Sequence, residues 1–124
     1  MEKNSRFEAG MASMRKMFSA EMLEAMSNMK NISPDFWEMI VAFGFGEVYT
    51  REGLSLDKRE IVTLTSLITQ GAFDQLEVHL RAALNVGLTK ENIIEIIIQC
   101  AAYSGFPKAC QAMMIAGTIF ESLE

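Results

Sequence analysis

The sequence predicts an all-α fold, and three observations carry that prediction. Apolar residues recur at intervals of three and four rather than two, which is the period of a helix with one buried face. Punctuation is sparse: two prolines, Pro34 and Pro107, and eight glycines separate long uninterrupted segments. The hydrophobic share is 50% against 22% charged, enough for one core in 124 residues, with a surplus suited to contacts between subunits. The expected architecture is a single domain, 1–124, of about six helices, with no internal repeat and no linker.

The elements follow in order. From about Arg6 to Met29 the positions Met11, Met14, Phe18, Met22, Ala25 and Met29 form one stripe, so a long amphipathic first helix is expected. Six of the ten methionines fall in it, a composition suited to filling irregular gaps in a core or subunit interface. Asn31 to Pro34 breaks the pattern, with Ser33 placed as an N-cap and Pro34 as the first residue of a second helix, running to about Phe43 or on to Tyr49. Arg51 to Asp57 reads as a loop. Asp57 stands three residues before Glu60, the spacing of a capping box opening a third helix that reaches about Gln70. A fourth helix is expected over Phe73–Asn85, ended by Gly87 at the C′ position. Thr89 caps a fifth, with Glu91 in its first turn, and this helix is apolar around nearly its whole circumference and so must be covered on several sides. Tyr103-Ser-Gly-Phe-Pro107 stops it, and Pro107 starts a last helix in which Ala109, Ala112, Ala116 and Gly117 permit close approach.

Charge and motif content exclude several functions. Eleven Lys plus Arg against sixteen Asp plus Glu give a net charge of -5, and no basic cluster suits a phosphate backbone, so nucleic acid is not an expected partner. The mean hydropathy is +0.16, yet no run of eighteen uncharged apolar residues occurs and the N-terminus has no leader pattern, so no membrane is expected and a cytoplasmic location is. Cys100 and Cys110 lie too far apart for a C-x-x-C pair and lack neighbours at zinc-ligand spacing; they read as buried, reduced thiols, and no metal site is expected.

Phosphate-binding, dinucleotide-binding, serine-nucleophile and zinc-protease motifs are all missing. The single histidine, His79, is the only side chain whose unperturbed pKa lies close to neutrality. Two readings of it stay open: a structural histidine bonded across a helix pair, or a catalytic one.

Spaced motifs connect the chain to a known family. Arg59, His79-Leu-Arg-Ala-Ala-Leu-Asn-Val-Gly87, Thr89-Lys-Glu-Asn-Ile93 and Gln99 through Tyr103-Ser-Gly-Phe-Pro107 resemble the carboxymuconolactone decarboxylase family of the AhpD-like superfamily. Arg6-Phe-Glu-Ala-Gly10, Phe36-Trp-Glu-Met-Ile40 and Gly46-Glu-Val-Tyr-Thr-Arg-Glu-Gly-Leu54 look like the single-domain 4-carboxymuconolactone decarboxylases of aromatic catabolism. The resemblance implies a helical arm over about 1–50, a family core over about 51–124, and homo-oligomers, trimers or hexamers.

It also implies a chemistry. The AhpD-type alkylhydroperoxidases of the same superfamily carry a C-x-x-C pair ahead of a histidine, with a glutamate upstream in a proton relay. Alignment on His79 puts the thiol positions at Ala72 and Gln75 and the glutamate at Glu60. Neither alanine nor glutamine forms a thiolate, so thiol peroxidase chemistry through that motif is excluded even if the superfamily label suggests it. Glu60 departs from the decarboxylase branch, where a small polar residue is common, and it also suits a helix-start carboxylate. The implied activity is loss of carbon dioxide from 4-carboxymuconolactone or a related lactone acid, without a cofactor, leaving 3-oxoadipate enol-lactone. His79 is the expected proton or hydrogen-bond donor and Glu60 its orienting partner. Arg51 and Arg81 are candidate carboxylate clamps, although Arg81 points away from His79 on one helix and would reach a site through a neighbouring subunit. Tyr103, with Trp37 and Tyr49, is a candidate pocket residue. A non-catalytic helical oligomer, with Glu60 and His79 as a structural pair, is the rival reading.

Overall fold

The computed structural model describes residues 3–123, and among them every regular element is a helix. The chain divides into two compact units, Met1–Ser55 and Leu56–Glu124.

In the first unit, α1 spans Lys3–Met17, α2 Ala20–Ser27, α3 Met29–Ile32 and α4 Pro34–Met39; a π-helix, π1, follows over Ile40–Val48. The expected long first helix is therefore three helices. Its break lies at Ser19, whose backbone is extended and whose hydroxyl accepts the Met22 N–H at 3.1 Å, the arrangement of an N-cap. Burial of Phe18, packed edge-on to Phe45 with centroids 5.7 Å apart, holds the chain in that bend against its helical propensity. The predicted stripe is divided accordingly: Met14 and Phe18 are buried, whereas Ala25 and Met29 are exposed.

Ser33 caps α4 as expected, its hydroxyl accepting the Phe36 N–H at 3.1 Å, with Pro34 in the first turn. The π-helical continuation was not legible. It is wider than an α-helix, and two glycines let α1 lie against it. A Cβ at Gly10 would fall on the Val41 carbonyl, and one at Gly46 on the Arg6 carbonyl. Arg6 pairs with Glu47 across the same contact, and Phe45 stacks on Tyr49 at 4.9 Å. Arg6-to-Gly10 and Gly46-to-Leu54, quoted above as two separate motifs, meet here as one packing surface.

The second unit comprises α5 (Leu56–Gln70), α6 (Phe73–Asn85), α7 (Lys90–Ser104) and α8 (Phe106–Ser122). Leu64 and Ile68 of α5 meet Leu76, Leu80 and Ala83 of α6 in the core. Ile93, Ile97 and Cys100 of α7 and Ala109, Ala112, Ala116 and Ile119 of α8 complete it. The α5–α6 turn passes through Gly71 at φ +74°, and α6 ends at Gly87 with φ +113°, conformations a side chain resists. Thr89 and Asn92 form a reciprocal capping box at the start of α7, each side chain accepting the other's backbone N–H at 3.0 Å.

Two expectations need correction here. Asp57 lies inside the first turn of α5 rather than capping it, because the helix begins at Leu56. Gly117 meets no neighbouring atom within 4 Å of an added Cβ, so close approach in α8 rests on its alanines. No helix among the described residues is long and apolar enough to cross a membrane.

Candidate active site

Helical spacing brings the chain's one histidine to a carboxylate. Glu60, Leu64 and Ile68 recur every fourth residue on α5 and share its buried face. On α6, His79 falls among Leu76, Leu80 and Ala83, the positions that face α5. The two polar residues therefore meet inside an otherwise apolar helix contact: His79 Nδ1 lies 3.0 Å from Glu60 Oε2. The Glu60 side chain is fully buried and that of His79 is 12% exposed.

This geometry disposes of the helix-start reading of Glu60, whose carboxylate turns inward to the imidazole. An ionised carboxylate only accepts, so in that state Nδ1 carries the shared proton and Nε2 is the ring's acid–base atom. A buried carboxylate fixes the ring's orientation and tautomer and stabilises an imidazolium when one forms. Such an arrangement suits delivery or acceptance of one proton at a fixed point.

The other expected site residues are not gathered by visible contacts. Arg51 is exposed on the turn after π1, in the first unit. Arg81 is half-buried on α6, two residues past His79 and so about 200° round the helix from it. Tyr103 is 85% exposed near the end of α7. Trp37 is buried in the first unit and lines a cavity there.

Nothing at the peroxidase positions replaces the missing thiols. Ala72 and Gln75 border an open hollow of about 350 Å³ at the start of α6. Cys100 and Cys110 are both unbridged. Cys100 is buried as expected, and burial pushes its thiol up from the ordinary range against a weaker opposing hydrogen bond with Thr65. Cys110 departs from expectation: it is exposed on α8. Among the described residues no group of three or more His, Cys, Asp or Glu side chains is placed to hold a metal ion.

Comparison with known proteins places this geometry. The profile of the carboxymuconolactone decarboxylase family matches residues 34–117, a stretch that includes both Glu60 and His79.

The chain belongs to the carboxymuconolactone decarboxylase family.

Among its relatives is the 4-carboxymuconolactone decarboxylase of Acinetobacter baylyi, 37% identical over 99 residues, covering 80% of this chain and 74% of that protein. A nitrosuccinic acid decarboxylase of Metarhizium robertsii is 31% identical over 110 residues, covering 88% and 77%. An uncharacterised protein of Paracoccus denitrificans is 32% identical over 97 residues, covering 77% and 72%. The chain is accordingly an enzyme of the carboxy-lyase type. The Glu60–His79 contact joins two residues that the resemblance had named, whereas the cavity beside Trp37 had no counterpart in the sequence reading.

Proposed function

We propose that the protein decarboxylates 4-carboxymuconolactone to 3-oxoadipate enol-lactone, working as a cytoplasmic homo-oligomer, a trimer or hexamer, without an added cofactor. The observation that carries this reading is the histidine held by a buried carboxylate at 3.0 Å within a chain of this family. The bond from the ring carbon to the departing carboxylate breaks, carbon dioxide leaves, and the electron pair enters the unsaturated lactone, whose carbonyl oxygen takes up the negative charge. A proton then returns at carbon.

His79 supplies that proton or donates a hydrogen bond to the developing oxyanion, and Glu60 orients the imidazole while it does so. Arg51 and Arg81 are assigned as clamps for the substrate's carboxylates and Tyr103 as a pocket wall, roles that suit a guanidinium's bidentate fork and an aromatic ring. Exposed Ile98, Tyr103, Phe106 and Met114 support the oligomer, since a lone small domain gains nothing from leaving them in water.

The nitrosuccinic acid decarboxylase relative favours one rival substrate. A nitro group beside the departing carboxylate is also an electron sink, so the same proton-delivering pair would serve a nitro acid.

The test is an ultraviolet assay of the purified protein with each acid, run beside His79→Gln and a peroxide-consumption control. Turnover of the lactone, reduced about 10²-fold or more in the variant, is expected. Turnover of the nitro acid alone would transfer the mechanism to that substrate, and an undiminished turnover number in His79→Gln would remove His79 from the chemistry.

A further inference from the structure

The break at Ser19 has a geometric result that a continuous helix would lack: it creates a concave face. An open cavity of about 610 Å³ lies in the first unit, inside the range of roughly 300–1,000 Å³ typical of small-molecule sites. Phe7 and Met11 of α1, Phe18 at the bend, Leu23 of α2 and Trp37 of α4 form its apolar surface. Two cations, Arg15 and Lys30, line it against one carboxylate, Glu24. Neither cation has an ion-pair partner among the described residues.

We propose that this cavity, lined by residues of the first unit alone, binds a small organic acid with an aromatic or branched apolar body and a single anionic head. The apolar wall takes the body, and the charge balance of two cations to one carboxylate selects an anion over a cation or a neutral molecule. Arg15 lies in the last turn of α1 and Lys30 in α3, so the two cations come from different helices. The apolar surface also tells against a small inorganic anion, which would leave the apolar wall without an occupant.

Trp37 is the chain's single tryptophan, so its emission reports this cavity alone. Naphthoate is the probe, titrated into the full-length protein while Trp37 fluorescence is followed, with naphthalene methanol as the neutral control. Saturable change with naphthoate is expected, with affinity falling about tenfold in the Arg15→Gln/Lys30→Gln double variant, since a charged partner for the head group is lost. Both positions lie at the protein surface, and circular dichroism checks the fold of the variant.

His79→Gln separates this site from the proposed active site, because its naphthoate affinity should equal that of the unaltered protein. Three results would overturn the proposal: no saturable change, as when a second copy of the chain covers the cavity; equal affinity in the double variant; or loss of binding in His79→Gln. Equal binding of the neutral control would refute the anion selectivity.

Discussion

Each of the two units of this chain places an acid–base pair between helices, and the two pairs stand under opposite conditions. Arg6 and Glu47 join α1 to π1 with side chains 36% and 38% exposed. Glu60 and His79 join α5 to α6 at 0% and 12%. A half-exposed pair is screened by water and salt, and its loss changes little. A buried pair bears a desolvation cost that well-packed apolar residues of similar volume would not bear. Stability therefore accounts for the first pair as a surface contact but not readily for the second, which supports the chemical role proposed for it. The contrast also runs through the backbone. The first unit packs by glycine contact and a widened helix, whereas the second uses four ordinary helices with an aliphatic core, a rigid setting that suits the proton donor proposed above.

The largest expected effect comes from emptying the buried pair. His79→Leu leaves the Glu60 carboxylate without its imidazole in a place that water does not reach, and should lower unfolding free energy by about 3 kcal/mol in denaturant titration. His79→Gln keeps a donor toward Glu60 and should lose far less stability while losing turnover. If His79→Leu were as stable as the unaltered protein, the pair would be a tolerated neighbour rather than a maintained one, and the contrast between the units would collapse.

Next comes the glycine contact of the first unit. Gly10→Ala drives a methyl group into the Val41 carbonyl, and backbone cannot swing aside as a side chain does. A loss of about 2 kcal/mol is expected, read as a lowered denaturation midpoint. Gly44→Ala is the control, because an added Cβ there meets nothing within 4 Å. Equal effects of the two substitutions would show that helix propensity, not the close approach of α1 to π1, decides the outcome.

These two regions were unequally legible in the sequence. Glu60 and His79 were named in advance through the resemblance, which aligns Glu60 with the relay glutamate of the AhpD-type proteins, whereas the turn at Gly71 and stop at Gly87 are set by local backbone chemistry. Ser33, Pro34 and Thr89 were legible for the same reason: a cap acts on a hydroxyl and an N–H three residues away. The bend at Ser19 is formed by the same chemistry, yet it was hidden by an unbroken stripe of methionines, and only the burial of Phe18 against Phe45 tips the balance toward it. The π-helix depends on contacts between residues about forty apart, such as Gly46 with Arg6, which no local pattern encodes. The cavity beside Trp37 is lined from both sides of the Ser19 bend and so was hidden with it.

The smallest expected effect belongs to the exposed pair, and its sign is informative. Arg6→Ala removes an ion pair worth about 1 kcal/mol or less, and the stem that packs beside it. It also removes a buried Nε that has no hydrogen-bond partner among the described residues, a donor whose presence costs stability. The two terms oppose one another, so the net change should lie close to zero. Arg6→Lys resolves them: it keeps the positive charge for Glu47 while discarding Nε, and should be neutral or slightly stabilising. Raising the salt to about 1 M should erase the charge part of the difference between Arg6→Ala and Arg6→Lys and leave the part due to the stem, since the Debye length falls to about 3 Å. The same salt should leave the His79→Leu deficit in place, because solvent ions do not reach Glu60. A salt-sensitive deficit at His79 would mean that the buried pair is wet, and the distinction between the two units would then be one of degree.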